Sequence, residues 1–393
     1  MSPDAGGTRL DATLDSHIRR RKLHNKFRKL TITPRSMVDF SSNGYLSLSS
    51  NLEVQRAYLS RLQDEIAAAE RIQTSSTTPS NLLGSGGSRL LDGNSAFAEA
   101  LERRIAAFHG APAALLFVSA FDANVGLLSC VPQPGDVVMY DELIHASVHD
   151  GMGLSRAAYR NGYIILDEAH SMGIFGDGGR GLVCELGLED RVWARVLGFG
   201  KAMGCAGGVV LCSETTRSYL INYARTLIYT TSTPFTSLLS IDVVYDYIAS
   251  AKADAYRNHL ESLIGYAHRS LLELCSRDVP STTRDLIYVR KRPPRSPIIP
   301  VLTAYPRSLA TYCQERGFMI RPIVPPTVPV GSERVRICLH AGNTIVQVKG
   351  LCKTINQWLQ HQEILRGDEQ EPREIQVHQM PRTQGPVMKK AKL

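Results

Sequence analysis

Residues 163–213 read YIILDEAHSMGIFGDGGRGLVCELGLEDRVWARVLGFGKAMGCAGGVVLCS. Three short apolar runs stand out in it: YIILDEAH, VLGFGKA and GGVVLCS, each bounded by small or polar residues. Apolar runs of that length, separated by Gly-rich or helical stretches, predict strands of a mainly parallel α/β sheet. Ligands of such sheets gather beyond the carboxyl ends of the strands. Asp167 closes the first run and Lys201 follows the second, so two charged side chains fall where a ligand would sit.

The pattern extends outward from this stretch. AALLFVSAFDAN (113–124) reads as a strand entering a helix, and DVVMYDE (136–142) as a further strand. SAFAEALERRIAAFHG (95–110) is an amphipathic helix ending at Gly110, and residues 52–75 also carry helical spacing. TTPSNLLGSGGSRLLDGNS (77–95) is too rich in Gly and Ser for a regular element. From residue 240 one long helical stretch to residue 274 leads into PIIPVLT, a helix and RVRICLHAG. The expected organisation is an N-terminal arm (1–45), a large domain (46–240), a smaller α+β domain (241–365) and a flexible tail (366–393).

Composition narrows the class. The 393 residues are 43% hydrophobic and 21% charged, which excludes wholesale disorder. No apolar run is long enough to span a bilayer, and no apolar segment follows the basic N-terminus. A soluble intracellular protein without membrane association is expected. The eight cysteines are scattered without a C-x-x-C pair, which predicts reduced thiols and no metal centre. The net charge of +8 comes largely from local runs at Arg19–Lys22, Arg290–Arg295 and Lys389–Lys390. Such runs suit a solvated face or an anionic substrate better than nucleic acid.

Four positions carry candidate chemistry. Lys201 lies among small residues in GFGKAMG. It is either a surface lysine on a turn or a poorly hydrated amine of lowered pKa, the kind that forms Schiff bases. A phosphate loop is excluded, since no G-x-x-x-x-G-K-[ST] occurs. That absence also disfavours a helicase reading of DEAH, so Asp167 fits better as a carboxylate beside a protonated ring nitrogen. His145, in YDELIHASVHDG, is either structural or positioned to stack on a planar cofactor, and His170 is placed to bond a ring hydroxyl. Arg334 and Arg336 alternate with Val335 and Ile337, so both fall on one strand face, solvated or serving as a carboxylate clamp.

Together SSNGYLSL, GSGGSRLLDGNS, SAFDAN, DELIHAS, LDEAHSMGIFG, GFGKAMG, LINYARTLIYTTSTP and PPTVPVGSERVRI resemble the α-oxoamine synthases. These are pyridoxal 5'-phosphate enzymes of fold type I, and the motifs occur in the family's order over residues 35–360. The resemblance is nearest to the fungal biotin-pathway branch, which condenses L-alanine with pimeloyl-CoA. It implies that Lys201 bonds the cofactor aldehyde and transfers the proton, with Asp167 at the pyridine nitrogen. It also implies that His145 stacks on the ring, that His170 lies near its phenolic oxygen, and that the N–H groups of Ala120 and Phe121 hold the phosphate. Thr230 and Thr231 match threonines reaching the phosphate from a neighbouring subunit, which implies a homodimer with shared sites. Asn43, Thr327 and Arg336 match the amino-acid contacts. The ending Ala391-Lys392-Leu393 is a conservative form of the S-K-L address, so an import receptor and a peroxisomal location are expected.

Three departures accompany the resemblance. Gly198 stands where the family has a threonine bonded to the phosphate, and Gly44 replaces an acidic residue. The third is larger: the family is longer by about fifty residues between His145 and Asp167, more than a strand–helix–strand unit. An inner strand is thereby lost; the flanking strands close up only if about 18 residues make the crossover, room for one helix, and the site is then still displaced by about one strand spacing, 4.8 Å. Alternative expectations are a relative using another amino acid or acyl-CoA, and an inactive truncated homologue that dimerises with an intact copy.

Overall fold

The computed structural model describes residues 9–24, 27–73, 81–134, 136–141, 143–155, 163–276, 286–368 and 388–390. The chain divides into two compact units, Met1–Met37 and Val38–Leu393. In the first, Arg9–Leu23 forms a helix with Leu10, Leu14 and Ile18 exposed. Residues 38–45, expected in the N-terminal arm, belong to the second unit. Val38–Asp39 pairs in parallel with Phe318–Met319, and Phe40 and Tyr45 are fully buried. The expected large and small domains share one core cluster, which runs from Leu46 and Val209 to Ile299 and Trp358.

The central sheet has four strands in the order Ala113–Phe117, Gly208–Cys212, Ala194–Gly198 and Ile165–Asp167. Ile165–Asp167 is parallel to Ala194–Gly198. Gly208–Cys212 is antiparallel to both its neighbours, so three of the four strands run one way. Every residue of the first three strands is buried, as continuous apolar runs covered on both faces require.

The strand Met139–Asp141 lies outside this sheet, pairing instead with Met388–Lys390. Among the described residues the flanking strands therefore do not close up, and the helix Ala146–Gly153 follows the first of them. Among the described residues Ile165–Asp167 is the edge of the central sheet. Residues 156–162, where the shortened connection falls, lie outside the described residues, as do Ala391–Leu393. Met388–Lys390 are three strand residues within the tail expected to be flexible.

The long helical stretch expected over 240–274 is two helices, Phe235–Ile248 and Ala251–Ser276. Ser250 separates them: its Oγ donates to the Tyr247 carbonyl, and its own carbonyl accepts from Ala253 N–H. That competition between side chain and backbone is what makes serine a helix boundary. Ile298–Leu302, Arg334–Cys338 and Arg321–Ile323 form an antiparallel sheet, with Arg334–Cys338 in the centre. All eight cysteines are free, and Cys212, Cys313, Cys338 and Cys352 are buried. Among the described residues no helix is long and apolar enough to cross a membrane, and no group of three metal ligands occurs.

Candidate active site

Asp167 ends the edge strand with both carboxylate oxygens engaged. Oδ1 accepts from Ala169 N–H at 2.9 Å, and Oδ2 accepts from Asn124 Nδ2 at 2.8 Å. The second Asn124 N–H donates to Ser147 Oγ at 3.0 Å, and Ser147 Oγ meets His145 Nδ1 at 2.8 Å. A hydrogen-bonded chain thus runs from Asp167 through Asn124 and Ser147 to His145. It explains why His145 stays linked to Asp167 although their strands are unpaired. His145 also caps the helix Ala146–Gly153, and its ring meets Phe121 edge to face at 6.4 Å.

His170 stands in a second group. Its Nδ1 lies 2.8 Å from Tyr45 Oη, which lies 3.2 Å from Asn43 Oδ1. Both bonds are satisfied when His170 Nδ1–H donates to Tyr45 and Tyr45 O–H donates to Asn43, a tautomer assigned from the network. Nε2 then keeps its lone pair. Burial, reinforced by the charge of Lys201, lowers the His170 pKa to about 4, so the ring is neutral at physiological pH. Burial also lowers the Lys201 pKa, while the nearby Asp167 carboxylate opposes the shift. Lys201 is thus the half-buried amine of the two readings, not a solvated turn lysine.

Arg336 extends from the centre of the antiparallel sheet, where Nη2 donates to the Ser41 carbonyl at 2.9 Å. Its Nε is buried without a hydrogen-bond partner. A buried unpaired guanidinium N–H is costly and suits a site that takes a carboxylate. Lys201, Asp167, Arg336 and His145 all act electrostatically on His170, so these five converge. Thr327 is exposed, and its N–H bonds the Val324 carbonyl. Thr230 and Thr231 line a separate cleft with Arg89, Val118 and Thr226, and Thr231 bridges to Ser88 in the Gly-rich loop. No side-chain hydrogen bond joins these three threonines to the Lys201 group among the described residues.

The helix Ala120–Cys130 begins beside this site, with Ser119 as its N-cap. Ala120 and Phe121 are its first two residues, whose N–H groups have no carbonyl partner within a helix. A Cβ at Gly208 would lie 2.4 Å from Ala120 N, and one at Gly198 would lie 3.1 Å from Ala120 Cβ. The terminus is thus packed closely against two strand ends, and two N–H groups remain for an anion. Asp122 shares that terminus, its carboxylate accepting from Ser119 Oγ at 2.5 Å. The donor set therefore fits pyridoxal phosphate, with an amine, a carboxylate able to pair with a protonated ring nitrogen and a helix N-terminus able to hold an anion. That cradle carries an acid and lacks the threonine at position 198.

Asn124, Ser147, Tyr45 and Asp122 were not singled out in the sequence. Each stands inside a quoted motif, but a polar residue that acts by orienting another leaves no spacing signal of its own. Asn124 is the nearest to one, since it sits four residues after Ala120 and hence on the same helix face.

Comparison with known proteins agrees with this geometry. The family described as aminotransferase class I and II matches residues 35–161 and 154–355. The two pieces meet between His145 and Asp167, where the connection is short. An 8-amino-7-oxononanoate synthase of Emericella nidulans is 43% identical over 414 aligned positions, covering 89% of this chain and 96% of the relative. Those positions outnumber the chain's 393 residues, so the relative carries residues that this chain lacks. The aminoacyl transferase sphA of Aspergillus fumigatus is 31% identical, covering 81% of this chain and 80% of the relative. In fold, the chain is similar to Sphingomonas wittichii serine palmitoyltransferase, with TM-score 0.75, 20% identity and coverage of 91% and 100%. It is also similar to the 8-amino-7-oxononanoate synthase of Francisella tularensis, with TM-score 0.65, 22% identity and coverage of 84% and 100%. The family match over most of the length and the 43% identity to a synthase leave one assignment: the chain belongs to the class I and II aminotransferase family and, within it, to the α-oxoamine synthases, pyridoxal-phosphate-dependent acyltransferases of fold type I.

Proposed function

We propose that the chain makes 8-amino-7-oxononanoate for biotin biosynthesis by decarboxylative condensation of L-alanine with pimeloyl-CoA. The observation that carries this reading is the 43% identity to the Emericella nidulans synthase, together with the Lys201, Asp167, His170 and Arg336 group. The product's own carbon count is consistent: a seven-carbon diacyl unit plus the two alanine carbons left after loss of carbon dioxide. The higher identity to that synthase than to sphA favours this reaction over another amino acid or acyl chain.

Bound pyridoxal phosphate supplies a ring that withdraws the electron pair left when the alanine Cα–H bond breaks. Asp167 keeps the ring nitrogen protonated, and Asn124 fixes the carboxylate's orientation. Lys201, with its pKa lowered, has a larger neutral fraction available to take the Cα proton. Arg336 holds the alanine carboxylate through its free Nε–H, which orients the bond broken when carbon dioxide leaves. Neutral His170 accepts a hydrogen bond from the ring hydroxyl at Nε2. Ala120 and Phe121 N–H hold the phosphate.

The chain works as a homodimer in this reading, with Thr230 and Thr231 reaching the partner's phosphate. Thr231 and Tyr229 are exposed, which supports that arrangement. The test is to incubate the protein with pyridoxal phosphate, L-alanine and pimeloyl-CoA and follow the product by mass spectrometry. Alanine should give 8-amino-7-oxononanoate where glycine and serine do not, and Lys201→Ala should abolish both turnover and the visible absorbance of lysine-bound cofactor. Product formation by the Lys201→Ala protein would overturn the proposal.

A further inference from the structure

We propose that Arg334, together with Arg290, recognises the distal carboxylate of the acyl chain and so selects a seven-carbon diacid over a plain fatty acyl group. The inference deepens the proposed reaction and rests on that reading.

The antiparallel sheet around Arg336 has one sealed and one open face. Ile299, Val301, Val335 and Ile337 point into the core and are fully buried. Between them, Ile298, Pro300, Leu302, Arg334 and Arg336 alternate to the other face and are only half-buried. The register aligns the rows of this open face. Arg336 faces Pro300 on one side and Arg321 on the other, and Arg334 faces Leu302, which bridges to Tyr288. Tyr288 is 51% exposed and Arg290, two residues on, is exposed as well.

Charge on this face is unbalanced. Burial depresses the Arg334 pKa and the neighbouring Arg290 guanidinium depresses it further, while Glu333 opposes the shift. Neither Arg290 nor Arg334 makes a salt bridge among the described residues, and Arg334 spends its Nε–H on the Ser332 carbonyl. Two neighbouring cations, with Glu333 acting on Arg334 but in ion-pair contact with neither among the described residues, form a ready site for an added anion.

The spacing sets which anion. Arg336 takes the amino-acid carboxylate, so it marks the end of the site where the new carbon–carbon bond forms. Arg334 lies two residues away along the same face, about 7 Å at the rise of a strand. Six carbon–carbon bonds of about 1.5 Å carry the far carboxylate of an extended seven-carbon chain roughly 7–8 Å from the thioester carbon. Counted from the alanine carboxylate that Arg336 holds, two more bonds lie between, and the reach of two arginine side chains spans the remaining distance of about 3 Å. A four-carbon diacid falls short, and a fatty acyl group offers nothing to the arginines. The CoA phosphates are the other anions of the same substrate, but a fully extended pantetheine arm carries them well past this spacing.

The test is equilibrium binding of pimeloyl-CoA and of heptanoyl-CoA, which lacks only the distal carboxylate, to the full chain loaded with pyridoxal phosphate. The native protein should prefer pimeloyl-CoA by about tenfold, the scale of one charge-assisted hydrogen bond. Arg334→Gln should erase that preference and leave heptanoyl-CoA binding intact, while Arg334→Lys should keep part of it. An equal loss for both thioesters would make the recognised anion a CoA phosphate, and equal affinity in the native protein would mean no carboxylate recognition. Either result overturns the inference but leaves the proposed reaction standing. Failure to bind either thioester, in a protein that shows the lysine-bound cofactor band, overturns both.

Discussion

At the scale of single residues, the site is organised by side chains that touch other side chains. Asp167 could be recognised as an acid at a strand end, but what fixes its orientation is Asn124, and Asn124 in turn ties it to Ser147 and His145. In the proposed function Asp122 opposes the cofactor phosphate. It occupies the helix N-terminus whose Ala120 and Phe121 N–H groups would hold the phosphate, so two negative groups would share one positive end. Asp122→Asn keeps the hydrogen-bonding shape and removes the charge. Pyridoxal phosphate should then bind about threefold more tightly, the scale of one charge at a helix terminus, read by quenching of protein fluorescence on titration. Unchanged or weaker affinity would show that the carboxylate does not compete with the phosphate.

At the scale of elements, the sheet end and the helix start form one unit. Gly208 pairs with both Phe117 and Gly198 and lies against the first turn of the helix Ala120–Cys130. Added bulk there meets backbone and not a flexible side-chain tip, so nothing cheap can move. Gly208→Ala should lower stability by about 1–3 kcal/mol and weaken cofactor binding at least tenfold, with the far-ultraviolet dichroism of the folded chain retained. Native cofactor affinity in that variant would mean that the cradle is more plastic than the packing indicates. Most of this frame was legible in the sequence, because apolar runs closed by Asp167 and Gly198 announce sheet strands by composition, although the first of them proves to be a half-buried edge. The reversed direction of Gly208–Cys212 was not, since a strand's orientation is set by its partners and leaves no trace in its own residues. Nor was the fate of Met139–Asp141. Its sequence reads as a strand, but its place in the central sheet depends on a neighbour that the short connection to Asp167 does not supply.

At the scale of the whole molecule, the second unit carries a buried histidine outside the chemistry of the site. His109 is fully buried, with Nδ1–H donating to the Arg180 carbonyl at 2.8 Å and Nε2 accepting from Tyr245 O–H at 3.0 Å. The second bond, with Nε2 as acceptor, requires the neutral ring, whereas the bond to the Arg180 carbonyl favours the protonated one. Burial depresses its pKa to about 3, and the adjacent Arg195 and Arg180 charges act in the same direction. The ordinary value of 6.5 applies once the chain unfolds. Above that pH both states hold the ring neutral, and the full stabilisation is present. Below it the unfolded chain binds a proton that the folded chain refuses, so stability falls with decreasing pH until the folded value is reached. The slope for one such group is about 1.4 kcal/mol per pH unit. His170, lowered to about 4, adds to the loss over nearly the same window. Urea unfolding midpoints measured between pH 7.5 and 5 should therefore decline below pH 6.5. His109→Gln should be less stable at neutral pH and lose roughly half of that decline, because the amide keeps a donor and an acceptor but does not titrate. A decline of undiminished slope in the variant would assign the acid sensitivity to other groups and remove His109 from the account.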